Sequence, residues 1–196
     1  MEHRFICFEG VDASGKSRVA KALVKELPNF AIVKTPHEIL LPKKEWADRD
    51  IPELGRYYFY MAGCYMALAE IYELLEDHDV LLIRYFYCTN AYHYAKSGER
   101  MEMPKDVLPP SNIAHFTVPD DDGWEVIEKR LAERGKDRKP WENVSTLRRM
   151  DAEYRRIFDG LDNVIRISTI EGKTNRQPED VAQEIIETLG LERASY

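Results

Sequence analysis

The sequence lacks the features of a membrane protein and those of a protein that binds nucleic acid through its charge. Its longest apolar run, near FYMAGCYMALA, is too short and too interrupted to span a bilayer. The formal net charge is −7, whereas non-specific binding of nucleic acid needs a basic surface. A short apolar strand and a loop are expected where a signal peptide would lie. We therefore expect a cytoplasmic protein whose partners include neither a membrane nor nucleic acid.

Cysteine is also scarce, and its spacing is not that of a metal site. Cys7, Cys64 and Cys88 form no CxxC pair and no other metal-ligand pattern. A free cysteine behaves as a small apolar side chain. We therefore expect three buried, reduced thiols.

The 196 residues have an ordinary globular composition, in which apolar runs typical of strands alternate with helical patterns. Strands are predicted at 4–10, 30–35, 79–86, 112–119 and 163–169. Helices are predicted at 14–27, 51–77, 90–98, 121–135, 143–160 and 178–189. Alternation of this kind predicts an α/β fold with a parallel sheet of about five strands and helices on both faces. We expect residues 1–196 to form a single domain.

The most informative stretch is FEGVDASGKSR at 8–18, which contains Gly-x-x-x-x-Gly-Lys-Ser. Its two glycines let the backbone approach a polyphosphate, and the helix that follows adds the positive end of its dipole. Lys16 is predicted to reach the β- and γ-phosphates of ATP, and the Ser17 hydroxyl to bind Mg²⁺. The residues predicted to bind ATP are Gly10, Val11, Asp12, Ala13, Ser14, Gly15, Lys16, Ser17 and Arg18.

Two large branches of the phosphate-loop proteins do not fit the sequence. GTPases need an Asn-Lys-x-Asp motif that reads the base, and the sequence has none. Motor-type ATPases hold Mg²⁺ with an acid at the end of a neighbouring apolar strand, and Ile83 stands at that place.

The stretch GKDRKP at 135–140 is strongly basic within an acidic protein. Arginines that close over a γ-phosphoryl group stabilise its charge and exclude water. We therefore predict a lid at about 134–142, in which Arg134 and Arg138 are catalytic.

Three stretches of the chain resemble the thymidylate kinase family. FEGVDASGKS at 8–17 is similar to its phosphate loop, FEG-hydrophobic-D-x-x-GKS/T. IRY at 83–85 with CTNAY at 88–92 resembles its DRY-x-x-S-x-x-AY stretch, and RGKDR at 134–138 with Glu142 resembles its lid. The resemblance implies the phosphate-loop kinase fold. It also implies transfer of the ATP γ-phosphoryl group to a nucleoside monophosphate, first of all dTMP, giving dTDP.

The resemblance also implies roles for single residues. Asp12 would approach the sugar hydroxyl of the acceptor or its metal shell, and Arg84 would pair with the acceptor phosphate. Tyr60, or Phe59 beside it, would stack on the base, while Thr89 and Tyr92 would line the base and sugar pocket. Thymidylate kinases carry a catalytic arginine either in the loop or in the lid. The loop has alanine here, so the arginines at 130–138 would act from the lid. The predicted catalytic residues are Lys16, Arg84, Arg134, Arg138 and Asp12.

The helix predicted at 51–77 is apolar around most of its circumference, which is typical of a helix that is buried or lies in an interface. The family resemblance implies a dimer as well. We therefore predict a homodimer in which this helix takes part.

Three positions differ from the family pattern. Ile83 replaces the aspartate of DRY, Cys64 stands where an acceptor-binding arginine follows the stacking aromatic, and TPHE at 35–38 replaces TREPGG. Three functions stay open at this point. They are a thymidylate kinase, a kinase for another small acceptor such as a deoxynucleoside, and a nucleotide-binding protein with little catalysis.

Overall fold

The computed structural model describes residues 3–135 and 142–192. Its core is a five-stranded parallel sheet. The strands of this sheet are β1 (Phe5–Gly10), β2 (Phe30–Lys34), β3 (Asp79–Ile83), β4 (Asn112–Phe116) and β5 (Val164–Ile167). The helices are α1 (Lys16–Glu26), α2 (Leu41–Asp50), α3 (Glu53–Leu74), α4 (Phe86–Ser97), α5 (Asp121–Ala132), α6 (Val144–Ile157) and α7 (Pro178–Leu189). A short hairpin, β6 (Ile170–Glu171) and β7 (Thr174–Asn175), precedes α7.

The strand order is β2-β3-β1-β4-β5, which puts β1 in the middle of the sheet. The sequence of β1, FICFEG, is buried at every position, as expected for a central parallel strand. Because the strands are parallel, the segments that follow β1, β3 and β5 meet at one edge of the sheet. This edge is where ligands bind in open α/β folds.

Helices cover both faces of the sheet, because successive strand residues point to opposite sides. On one face, Phe5 and Cys7 pack in a cluster with buried residues of α3, α4, α5 and α6. On the other face, Ile6 and Phe8 pack against α1 and α7. The predicted fold class, a parallel sheet of five strands between helices, is confirmed.

Several predicted boundaries are wrong. The strand predicted at 79–86 ends at Ile83, and the next helix begins at Phe86 and not at position 90. The reason is Arg84, whose backbone is left-handed with φ 71° and ends the strand.

Two further elements were not predicted. The helix α2 lies in a stretch for which the sequence predicts no element, and the hairpin β6–β7 lies where the sequence predicts a short polar loop. Of the α2 residues, only Ala47 is buried, so its sequence has no apolar stripe. Arg138 and most of the predicted lid lie outside the described residues, and the single domain at 1–196 stays a prediction. No helix within 3–135 or 142–192 is long and apolar enough to cross a membrane.

Candidate active site

The phosphate loop leaves the end of β1 and leads into α1. Gly10 has φ 137°, and a Cβ there would lie 2.5 Å from the Phe116 carbonyl oxygen. Gly15 has φ 91°, and a Cβ there would lie 2.8 Å from Thr169 Cγ2. Both close contacts and both backbone angles require glycine, as the motif predicts.

Lys16 folds back over the loop. Its Nζ donates to the carbonyl oxygens of Gly10 (2.7 Å) and Val11 (2.6 Å) and to Ser14 Oγ (3.0 Å). Burial, together with the positive charge of Arg84, lowers the pKa of Lys16 to about 7. An anionic phosphate beside the ammonium group would raise that pKa again, since an opposite charge favours the charged form.

A cavity of about 570 Å³ lies over the loop. Residues 12–18 line it, whereas Val11 is buried in the core cluster of α3 to α6 and does not line the cavity. Ser17 and Arg18 are exposed there. Seven of the nine loop residues predicted to bind ATP therefore line one cavity, and Gly10 and Val11 do not line it.

The opposite wall of this donor cavity comes from residues that the motifs do not contain. Arg130 donates to the Ala13 carbonyl (2.8 Å), to Thr169 Oγ1 (3.0 Å) and to Asn175 Oδ1 (2.7 Å). Thr169 Oγ1 donates to the Ser14 carbonyl at 2.8 Å. Thr169 follows β5 and Asn175 lies in the unpredicted hairpin. No signal in the sequence marks either residue, because only the fold brings them to the loop.

A second cavity, of about 320 Å³, lies between the ends of β1 and β3 and the helices α2, α3 and α4. Asp12 and Arg84 lie where this acceptor cavity meets the donor cavity and line both. Arg84 Nη2 donates to Asp12 Oδ1 at 2.5 Å, and Nη1 donates to Cys88 Sγ at 3.1 Å. Although burial opposes it, the charges of Arg84 and Lys16 hold the pKa of Asp12 below its usual value.

The predicted base-binding residues Tyr60, Thr89 and Tyr92 all line the acceptor cavity. The Tyr60 hydroxyl donates to Asp48 Oδ1 at 2.5 Å, which fixes the ring against the unpredicted helix α2. The structure thus brings together the three side chains that the family resemblance placed around the base.

Arg56 is an acceptor-cavity residue that the sequence reasoning missed. It lies one turn before Tyr60 on α3, is buried, pairs with Glu53 and lies 4.8 Å over the Tyr92 ring. Cys64, one turn after Tyr60, is buried and does not line the cavity. The arginine of α3 is therefore on the N-terminal side of the aromatic, where the family pattern gives no reason to look.

Arg134 follows α5 and forms an ion pair with Glu142, at the two ends of the segment predicted as the lid. Arg134 lines both cavities, and Glu142 lines the acceptor cavity. Arg138 lies outside the described residues.

Comparison with known proteins identifies the family. The family model described as thymidylate kinase matches residues 8–185. The chain belongs to the thymidylate kinase family. It is 26% identical to the thymidylate kinase of Leptospira borgpetersenii over 207 residues, covering 93% of this chain and 91% of that one. It is also 26% identical to that of Leptospira interrogans, with 93% and 92% covered.

Two solved structures share the fold. The thymidylate kinase of Candida albicans superposes with a TM-score of 0.75 at 20% identity, covering 96% of this chain and 93% of that chain. The thymidylate kinase of Ehrlichia chaffeensis superposes with a TM-score of 0.67 at 17% identity, covering 96% and 100%.

The predicted family and the predicted enzyme class, an ATP-dependent nucleoside-monophosphate kinase, are confirmed. Phosphoryl transfer from ATP to dTMP, giving dTDP, is the reaction that the family name describes. ATP and a nucleoside monophosphate are accordingly the substrates of the class. The roles of the single residues stay predictions.

Proposed function

We propose that the protein transfers the γ-phosphoryl group of ATP to dTMP at the junction of the two cavities. The observation that carries this proposal is that Asp12, Arg84 and Arg134 line both cavities. A donor phosphate held over the loop and an acceptor phosphate held from the other side would meet at these three side chains. Positioning of the two reactants is most of what phosphoryl transfer asks of a protein.

On the donor side, the loop and the first turn of α1 hold the β- and γ-phosphates. Backbone N–H groups of the loop and the positive end of the α1 dipole face the anion. Lys16 exchanges its contacts with loop carbonyls for contacts with phosphate oxygens. The γ-phosphorus is attacked by an oxygen of the acceptor phosphate while its bond to the β–γ bridging oxygen breaks, and ADP leaves.

On the acceptor side, Arg84 binds the phosphate of dTMP, and Asp12 accepts a hydrogen bond from a sugar hydroxyl. Tyr60 stacks on the base, and Thr89 and Tyr92 form the walls. Arg84 suits the task because a planar guanidinium binds a phosphate through two parallel hydrogen bonds. Its ion pair with Asp12 orients the guanidinium toward the junction.

The lid arginines stabilise the charge that spreads over the transferred group. Arg134 already lies at the junction, and Arg138 is proposed to join it from the same segment. Ala13 in the loop leaves room for this arrangement, in which the arginines come from the lid.

Mg²⁺ is proposed to bind the Ser17 hydroxyl together with phosphate oxygens of ATP. Within the described ranges, no three His, Cys, Asp or Glu side chains form a metal cluster. Mg²⁺ keeps several waters and is usually held by few protein groups together with substrate phosphates. When bound, the ion would neutralise charge on the phosphates.

We also infer that the protein acts as a homodimer, because large apolar side chains are exposed along α3. The absence of a nucleic-acid partner and the cytoplasmic location stay predictions.

The proposed function is tested by measuring ADP release with dTMP, other nucleoside monophosphates and deoxynucleosides. We expect turnover with dTMP, and a loss of roughly 10²-fold or more in Lys16→Ala. Lys21→Ala is the matched control, since Lys21 is an exposed lysine on the same helix, and it should keep full activity. Faster turnover with a deoxynucleoside, or ATP binding without any turnover, would overturn the proposal.

A further inference from the structure

The backbone of Arg84 is held in an unusual conformation by three hydrogen bonds. Its φ of 71° is left-handed, a region that side chains other than glycine seldom adopt. The Arg84 N–H donates to the Phe8 carbonyl at 3.0 Å, and Thr35 Oγ1 donates to the Arg84 carbonyl at 2.9 Å. The N–H of the next residue, Tyr85, donates to Glu9 Oε1 at 2.7 Å. A non-glycine residue stays in such a conformation only when its surroundings over-determine it.

Glu9 is a charged residue in an otherwise apolar strand, and it is completely buried. A buried carboxylate is costly unless its oxygens are hydrogen-bonded. Both oxygens of Glu9 have a partner: Oε1 accepts from the Tyr85 N–H, and Oε2 accepts from the Tyr154 hydroxyl at 3.0 Å. The mechanism proposed above does not use this side chain. The energetic cost of burying the Glu9 carboxylate therefore needs another explanation.

Tyr154 connects this site to the helix that follows the lid segment. It lies on α6, is buried, and stacks on Phe158 with ring centroids 5.7 Å apart. Its hydroxyl also lies beside the Cys88 thiol, which accepts from Arg84 Nη1. The backbone and the guanidinium of Arg84 are thus both supported by groups that Tyr154 touches.

We propose that Glu9 is a positioning residue that holds Arg84 in its left-handed conformation, and that Tyr154 orients the Glu9 carboxylate. Tyr85 is the residue just before α4, so its N–H has no partner within that helix. Glu9 supplies the missing acceptor. Without it the turn at Arg84 can relax, and the guanidinium leaves the junction of the cavities. The proposal rests on the role of Arg84 in binding the acceptor phosphate.

Steady-state kinetics of variants at Glu9 and Tyr154 tests the proposal. Glu9→Ala should raise the KM for dTMP about tenfold or more, because a displacement of about 1 Å at a reacting group has effects of this size. The KM for ATP should stay within about twofold of the parent value. Glu9→Gln should restore the KM for dTMP, since its amide oxygen can still accept from the Tyr85 N–H. Tyr154→Phe should give a smaller increase in the same direction. If Glu9→Ala does not fold, Glu9→Asp replaces it, because the shorter side chain draws the carboxylate away from Tyr85.

Asp151→Asn is the matched control. Like Glu9 on β1, Asp151 on α6 is a buried carboxylate. However, Asp151 pairs with Arg155 and lines neither cavity. We expect an unchanged KM for dTMP. Equal increases in both KM values in Glu9→Ala, or no rescue by glutamine, would overturn the positioning role and leave a general structural one.

Arg84→Ala separates this proposal from the proposed function. If Arg84→Ala leaves the KM for dTMP unchanged, the proposed role of Arg84 in binding the acceptor phosphate is wrong. If it raises that KM while Glu9→Ala does not, only the positioning role is wrong. A residue that acts through Arg84 has no further effect once Arg84 is gone. The double variant Glu9→Ala/Arg84→Ala should therefore match Arg84→Ala in its KM for dTMP, and an additive increase would contradict the proposal.

Discussion

Ile83 ends β3 at the position where the family pattern has an aspartate. Its side chain is 4% exposed and packs among Phe8, Val19 and other apolar residues on the face that α1 covers. A carboxylate here would be buried without a partner, which costs several kcal/mol. We therefore expect Ile83→Asp to destabilise the protein by several kcal/mol in denaturant unfolding. Ile83→Val, which stays apolar, should cost only about 1 kcal/mol.

Ile83 also affects the expected Mg²⁺ dependence of the activity. Since isoleucine cannot bind Mg²⁺ or its waters, activity should saturate only at high Mg²⁺ concentration. An Ile83→Asp protein as stable as its parent, whose activity saturates at lower Mg²⁺, would contradict the apolar environment of this position.

The pKa of Glu9 gives the protein a pH-dependent stability. Burial raises this pKa from 4.5 to about 7, against the lowering effects of the Tyr85 N–H, Tyr154, Lys16 and Arg84. Because the folded state binds the proton more tightly than the unfolded state, Glu9 contributes stability below about pH 4.5. This contribution is lost progressively as the pH rises from about 4.5 to about 7.

Glu9→Gln has no such proton to lose. Urea unfolding at pH 5, 6, 7 and 8 should therefore show the parent losing stability relative to the variant as the pH rises. Parallel stability curves for the two proteins would mean that the pKa of Glu9 is not raised by folding.

Residues inside a contiguous motif could be predicted from the sequence, and residues assembled by the fold could not. Lys16 and the loop around it follow from spacing alone. Arg84 could be predicted from the DRY pattern of the family, although Ile83 replaces the aspartate of that pattern. Arg56 and Thr169 were missed because each belongs to no motif and reaches its cavity only through the packing of α3 or the end of β5.

The same limit applies to whole elements. The sheet and the amphipathic helices could be predicted because burial imposes a period on their sequences. The helix α2 could not, since its residues LPKKEWADRD cover the acceptor cavity with polar side chains such as Lys44 and Asp48 and bury only Ala47. A helix that lines a cavity and does not pack on the core lacks the apolar stripe by which amphipathic helices are recognised in a sequence.

Arg134 lies at the start of the segment that links α5 to α6. Arg134 lines both cavities and pairs with Glu142 on the far side of the segment. If Arg134 acts on the charge of the transition state, Arg134→Ala should lower kcat by roughly 10²-fold while the KM for ATP changes little. Arg148→Ala is the matched control, because Arg148 is an exposed arginine of α6 that pairs with Asp121 outside both cavities. A higher KM for ATP with unchanged kcat in Arg134→Ala would instead identify a contact to the bound nucleotide.

At the scale of the whole molecule, α3 has more apolar surface than one sheet face can cover. Although other residues of the helix, such as Tyr57, Met61 and Leu68, are buried in the core, Leu54, Tyr58, Tyr65 and Tyr72 are between 40% and 58% exposed. Their spacing of four, seven and seven residues places them on one side of the helix. A stripe of this kind is self-complementary across a two-fold axis, as an isologous dimer requires.

We expect the protein to sediment at micromolar concentration with twice the mass of the 22.9 kDa chain. Tyr58→Glu should make it monomeric with an unchanged circular dichroism spectrum, because the two-fold axis brings two like charges together in an apolar interface. Leu161→Glu makes the same change at an exposed apolar residue outside α3, so this variant should stay dimeric. A parent protein that sediments only as a monomer would show that the stripe on α3 is not a dimer interface. Dissociation by Leu161→Glu would place the interface elsewhere on the surface.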